Sequence, residues 1–206
     1  MFFLLTLIVP FLTWGEDFME WEDADCCECR ETIDVTFRAS YYYPLSDDFR
    51  EIYGDGNVNW GLEIDVPLWC NLDAFLGVDY FTIKGHSTLF HYSTRFTTVP
   101  VSLGLQYTYD LCDDAYSLYG AVGGVYTPVY MKDNSPFAVP HRNRGGFGVI
   151  GRVGGKVHLY ECLFLDIFTD YTWQDFSYKG SNDPYVVGRH VNLSHFKFGG
   201  GLTYKF

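Results

Sequence analysis

Six cysteines, two serine–histidine neighbourhoods and a set of ionisable residues inside otherwise apolar segments are where this 206-residue chain has chemistry to offer. Cys26, Cys27 and Cys29 are clustered; Cys70, Cys112 and Cys162 stand singly. A Cys-Cys-x-Cys run supplies thiolates for a metal, but it lacks a neighbouring His or a fourth thiol, so disulfide chemistry is the stronger reading. A hydroxyl activated by an adjacent imidazole would be a nucleophile. His91-Tyr92-Ser93 and Ser194-His195 have those residue types but no placeable acid to orient the base. They read as polar residues at strand ends, and neither an enzyme, a cofactor nor a metal site is expected.

The ionisable residues need strands to position them. From Thr32 onward the chain divides into alternating segments of about 9 to 11 residues or somewhat longer, a length suited to barrel strands. They run 32–43, 58–68, 73–84, 96–109, 116–130, 146–160, 163–178 and 193–206. Because successive side chains of a strand point to opposite faces, each segment separates an apolar face from a polar one. In the second, Val58, Trp60, Leu62, Ile64, Val66 and Leu68 oppose Asn59, Gly61, Glu63 and Asp65. The polar faces collect Arg38, Glu63, Asp65, Asp79, Arg152, Lys156, Asp166, Asp170 and Lys197, which predicts an interior charge network of both signs. The fifth segment is ambiguous: Tyr119, Ala121, Val125 and Val129 compete with Leu118, Val122 and Tyr126 for the apolar face. Pro100 and Pro128 each remove a ladder donor, so that end of the hairpin is expected to pair poorly. Residues 44–57 read as a long polar loop.

The last segment, LSHFKFGGGLTYKF, places Phe206, Tyr204, Leu202, Phe198 and Phe196 on one face and Lys205, Thr203, Lys197 and His195 on the other. A terminal Phe, with an aromatic two places before it and apolar residues at alternate positions, resembles the closing strand of bacterial outer-membrane barrels. In that family the pattern is the assembly signal, which the resemblance carries over to Phe206, Tyr204 and Leu202. It implies an all-β, antiparallel up-and-down transmembrane barrel of about eight strands, OmpA-, OmpX- or OmpW-like in architecture. Outer-membrane lipid, lipopolysaccharide and the barrel assembly machinery would be its partners. Outward aromatics fall into two groups. Tyr41, Tyr43, Trp60, Tyr80, Phe147, Tyr171 and Trp173 lie toward the long loops, and Tyr107, Tyr109, Tyr116, Tyr160, Tyr204 and Phe206 toward the short turns, as two interfacial girdles would require. The soluble alternative is a lipocalin-like barrel with the apolar face turned inward.

Composition fits this reading. Aromatics make up 19% of the chain and its mean hydropathy is −0.05, too polar for a helical membrane protein and too aromatic for a disordered one. A net charge of −12 argues against nucleic acid, because no basic stripe is available to neutralise phosphates. Met1 to Trp14 is an apolar run too short to span a bilayer and suited to a secretory h-region, although no Lys or Arg precedes it. Residues 1–15 are therefore expected to be a signal peptide, 16–31 an acidic, Cys-rich periplasmic leader, and 32–206 the outer-membrane barrel.

On that map Cys70, Cys112 and Cys162 occupy the three short turns, and Cys26, Cys27 and Cys29 the leader, so all six face an oxidising periplasm. Neighbouring turns lie two strand spacings apart, roughly 10 Å, whereas a disulfide needs Cα atoms within about 7 Å. The turn thiols are therefore left to pair with the leader or with another protein. This habit resembles the disulfide-cross-linked envelope of chlamydia-like bacteria, which implies other cysteine-rich envelope proteins as partners. The expected function is a structural barrel of the cell envelope. An adhesin, an OmpW-like transport barrel for small hydrophobic molecules, and a lipid A-modifying enzyme using Ser93 or Ser194 are the alternatives.

Overall fold

The computed structural model describes residues 32–86, 93–111, 115–133, 141–177 and 190–206. The expected signal peptide and leader, with Cys26, Cys27 and Cys29, lie outside the described residues, as do Cys112, His91 and Tyr92. The strands are β1 (Asp34–Pro44), β2 (Asn57–Trp69), β3 (Leu72–His86), β4 (Ser93–Thr98), β5 (Val101–Asp110), β6 (Tyr116–Asp133), β7 (His141–Tyr160), β8 (Leu163–Ser177), β9 (His190–Asn192) and β10 (His195–Lys205). Every pairing is antiparallel, and β10 closes the ring by pairing with both β8 and β1. Two staves are each built from two strands, β4 with β5 and β9 with β10, so the ring has eight staves.

The stagger of the ring follows from its register. A path of paired residues runs from Asp34 through Asp65, Phe75, Gly104, Gly123, Ile150, Thr172 and His195, and returns to β1 at Pro44, ten residues further along. A closed ring with such a shift must tilt its strands, by about 35–45° in barrels of this kind. Its interior is then just wide enough for side chains to fill.

The polarity of the wall is the reverse of a water-soluble protein's. Phe37, Leu62, Leu103, Val122, Val153 and Ile167 are among the exposed outward residues, while Glu63, Lys156, Asp166 and Asp170 are buried inside. An apolar lumen within a charged wall, as the lipocalin-like alternative requires, is contradicted by these exposures. The ambiguous segment is resolved as well. In β6, Tyr119, Ala121, Val125 and Val129 are buried, and Leu118, Val122 and Tyr126 form the outer face.

The prolines act more locally than their sequence suggests. β4 stops at Thr98 and β5 starts at Val101, opposite Pro128, yet Thr98 pairs with Val129 and Val101 with Tyr126 in one unbroken register. The Pro100 carbonyl still accepts the Asp79 N–H at 2.9 Å, and the Thr98 hydroxyl donates to the Pro128 carbonyl at 2.8 Å. Missing donors thus interrupt the ladder without fraying the end beyond, where pairing resumes.

The segment expected as a long polar loop holds a helix, α1 (Asp47–Tyr53), with Asp47 and Asp48 in its first turn and Gly54 at φ 84° ending it. Phe49 and Tyr53, one turn apart, face inward. Phe49 packs edge-on to Phe96 at 5.1 Å and joins Tyr42, Phe81, Ile83, Val129 and Leu193 in an apolar plug at the long-loop end. Deeper in the lumen, Phe75 lies over a cross-strand pair of glycines. A Cβ at Gly104 would stand 2.6 Å from Phe75 Cε1, and one at Gly123 would stand 2.9 Å from Phe75 Cζ. Gly104→Val should therefore displace the ring and destabilise the folded barrel by about 1–3 kcal/mol. Urea unfolding followed by heat-modifiable electrophoretic mobility would measure this.

Candidate functional site: the charged lumen

Alternation puts Arg38, Glu63, Asp79, Arg152, Asp166, Asp170 and Lys197 on inner faces of six different staves, and closure brings them together at one height. Glu63 is shared between two guanidinium groups, ion-paired with Arg38 at 2.6 Å and accepting a hydrogen bond from Arg152. Arg152 also forks onto Asp170, with Nε to Oδ1 at 2.6 Å and Nη2 to Oδ2 at 3.2 Å. Arg38 donates to Asp166 Oδ2 at 3.1 Å, and Asp166 Oδ1 accepts the Tyr119 hydroxyl at 2.7 Å. Lys197 joins Asp170 at 3.2 Å and Asp79 at 2.6 Å. Aromatic faces supply part of the remaining solvation: the Arg38 guanidinium carbon lies 4.7 Å from the centre of Phe168, and that of Arg152 lies 5.2 Å from Phe75.

A second cluster sits nearer the short turns. Lys156 donates to Asp34 at 2.8 Å and to Asp65 at 3.1 Å, with its ammonium 5.6 Å from the Tyr119 ring centre. In the same part of the lumen the Thr36 and Thr203 hydroxyls meet at 2.8 Å, and Thr108 donates to Asp73 at 3.2 Å. The nine ionisable residues read from the sequence therefore fall into two linked sets. Tyr119 as a partner of Asp166, and Asp34 as a partner of Lys156, were not among them. Asp34 could have been found by the same alternation, as an acid on the polar face of the first segment. Tyr119 could not, because its segment did not reveal which face was which.

This arrangement closes the lumen. The space left beside Arg38, Glu63, Arg152 and Lys197 is about 10 Å³, at the lower limit for one water. Above it the apolar plug continues, with Tyr42 stacked between Phe81 at 4.2 Å and His195 at 4.1 Å. Among the described residues no group of His, Cys, Asp and Glu has the disposition of a metal site.

Ser194 and His195 are not assembled as a dyad. The Ser194 hydroxyl accepts the Gln174 N–H at 3.1 Å, and His195 Nδ1 lies 2.9 Å from the Leu193 carbonyl. Ser93 is exposed at the start of β4, and its neighbours His91 and Tyr92 lie outside the described residues. At the opposite end of the barrel, Cys70 and Cys162 occupy tight turns between β2 and β3 and between β7 and β8. Cys162 is a free, exposed thiol. Asn71 exchanges hydrogen bonds with the Thr108 backbone, and the Cys162 carbonyl accepts from Lys205, so both turns are held against the next stave. Leu202, Tyr204 and Phe206 lie exposed on the outer wall.

Removing the shared carboxylate should leave two buried guanidinium groups facing one another without compensation. Glu63→Gln is expected to cost about 3–5 kcal/mol, the scale for breaking a buried ion pair from one side. Equilibrium unfolding of the refolded barrel measures it.

No protein-family model matches the chain, and no curated protein matches it. Solved structures do match in fold. OprG from Pseudomonas aeruginosa superposes with a TM-score of 0.59 at 16% identity, covering 86% of this chain and 98% of that one. The Escherichia coli outer membrane protein W gives 0.54 at 16% identity, covering 86% and 100%. The N-terminal barrel domain of Pseudomonas aeruginosa OprF gives 0.51 at 12% identity, covering 86% and 98%. With its eight-stave ring, outward apolar wall and charged lumen, the chain has the fold of the small bacterial outer-membrane β-barrels.

Proposed function

We propose that this protein is a structural barrel of the bacterial outer membrane, with its short turns in the periplasm and its long loops at the cell surface. The observation that carries the reading is the pairing of an apolar outer wall with a lumen shut by ion pairs and rings. Burying so much charge inside while exposing Leu103, Val122 and Val153 outside makes sense where hydrocarbon wets the wall. The closed lumen favours a structural role over a conducting one. Lipid and lipopolysaccharide would surround the wall, and the closing strand would be read by the assembly machinery during insertion.

The exposed Cys162 thiol supports a further part of the same proposal, that the turn end is tied covalently to other cysteine-rich envelope proteins. Electrophoresis of whole envelopes without reductant should show high-mass species that collapse when reductant is added and diminish in Cys162→Ser. A single monomeric band under both conditions would remove the cross-linking proposal.

Depth dependence tests the membrane placement. Leu103→Arg, in the middle of the wall, should cost about 2–4 kcal/mol in lipid vesicles, and Tyr109→Arg, at the short-turn end, about 0–1 kcal/mol. Equal costs at the two sites would contradict a bilayer around the wall.

A further inference from the structure

The outward columns of three adjacent staves change character in the same order toward the long loops. On β3 the sequence is Leu76, Val78, Tyr80, Thr82, Lys84; on β5 and β4 it ends in Thr97 and Arg95; on β6 it passes Tyr126 and Tyr130 to reach Lys132. The register pairs Lys84 directly with Arg95, and Arg95 directly with Lys132. Three exposed cations thus stand side by side across neighbouring strands. Like charges directly opposite one another destabilise a sheet. Among the described residues no carboxylate lies within ion-pairing distance of any of the three, although the chain carries 26 acidic residues against 14 basic ones.

A groove of about 570 Å³ opens beside the row, and Asn57, Tyr80, Thr82, Thr97, Lys84 and Arg95 contribute to its walls. Asn57 donates to the Thr82 carbonyl at 3.0 Å, and the Thr82 and Thr97 hydroxyls meet at 3.1 Å, so its polar floor is fixed by the strands. The site therefore offers an aromatic ring at its lower edge, hydroxyls above it and cations at the top. That order matches a lipid whose acyl chains lie against the wall and whose sugar-phosphate headgroup sits at the interface.

We infer that Lys84 and Arg95, at the groove, and Lys132, beside Arg95 on the next strand, form a binding site for the phosphates of an outer-leaflet glycolipid. The inference rests on the membrane placement proposed above. Arg95, central in the row and able to donate two parallel hydrogen bonds to one phosphate, is the main contact, flanked by the two ammonium groups.

The test uses the full barrel in nanodiscs of phosphatidylcholine doped with bis-phosphorylated lipid A or with its dephosphorylated form, and native mass spectrometry counts the lipid A retained. Wild type and Arg50→Gln, a neighbouring helix charge outside the row, should retain the phosphorylated lipid. Lys84→Gln, Arg95→Gln and Lys132→Gln combined should weaken retention about 100-fold, and Arg95→Gln alone about fivefold, at the usual contribution of a basic residue near an anionic surface. The single variant decides the matter if the triple one does not fold. Equal retention of the two lipid forms, or variants that retain as wild type does, would overturn the site. Displacement by millimolar inorganic phosphate would also overturn it, because the site would then belong to a free anion. A barrel that keeps its heat-modifiable mobility in the nanodisc but shows no phosphate preference refutes this inference alone; one that cannot be inserted refutes the membrane placement as well.

Discussion

An antiparallel wall with hydrocarbon on one side leaves every ionised inner side chain with only other inner side chains, a ring face or a trapped water as a partner. The rest of the molecule depends on that constraint. Glu63 serves both Arg38 and Arg152, Asp170 serves both Arg152 and Lys197, and Lys156 serves Asp34 and Asp65, because no group in the lumen can turn to bulk water. Ions buried in this way are not evidence of high stability, since desolvation offsets much of their attraction. They do fix which staves can be neighbours: each shared carboxylate is satisfied only when strands far apart in sequence have closed into one ring. Specific closure, more than added stability, is the role this network fits.

The two ends of the barrel meet the constraint differently. Toward the long loops the lumen ends in rings, with α1 supplying Phe49 to a plug that already holds Tyr42, Phe81 and Phe96. Toward the short turns it ends in hydroxyls and acids, with Thr36, Thr203 and Asp73 beside the Lys156 cluster's own Asp34 and Asp65. Between them the glycine pair Gly104 and Gly123 removes side chains from the wall so that Phe75 can lie flat and face Arg152. A shift of ten residues around the ring tilts the staves and lets charged residues on β1, β2, β3, β7, β8 and β10 reach a common height.

Much of this was legible in the sequence because one rule governs it. Where apolar and polar residues alternate strictly, as in Val58 to Leu68 or Phe196 to Phe206, facing follows directly, and the inner charged positions with it. Legibility failed where the rule lost contrast. In β6 the inner face is itself built of Tyr119, Ala121, Val125 and Val129, so both faces of that strand look alike in sequence. The partners of the charges were partly hidden for another reason. Arg152 with Asp170 and Lys197 with Asp170 are register partners, and Arg38 reaches Asp166 past Gly201, the β10 residue paired with both; Lys156 with Asp34 skips two staves, and no local pattern encodes that. α1 was signalled by Ser46, the two acids after it, the one-turn spacing of Phe49 and Tyr53, and Gly54, yet a short helix inside a polar loop gives that pattern little weight.

The central claim is that lipid, and not water, contacts the outward residues. Spin labels placed one at a time along β2, from Val58 to Leu68, in a barrel whose cysteines are replaced by serine and which is reconstituted in vesicles, test it most directly. Collision with dissolved oxygen should peak at every even-numbered position, and collision with a water-soluble nickel chelate should stay low along the middle of the strand. A nickel-accessible even face, or no two-residue period at all, would contradict the account.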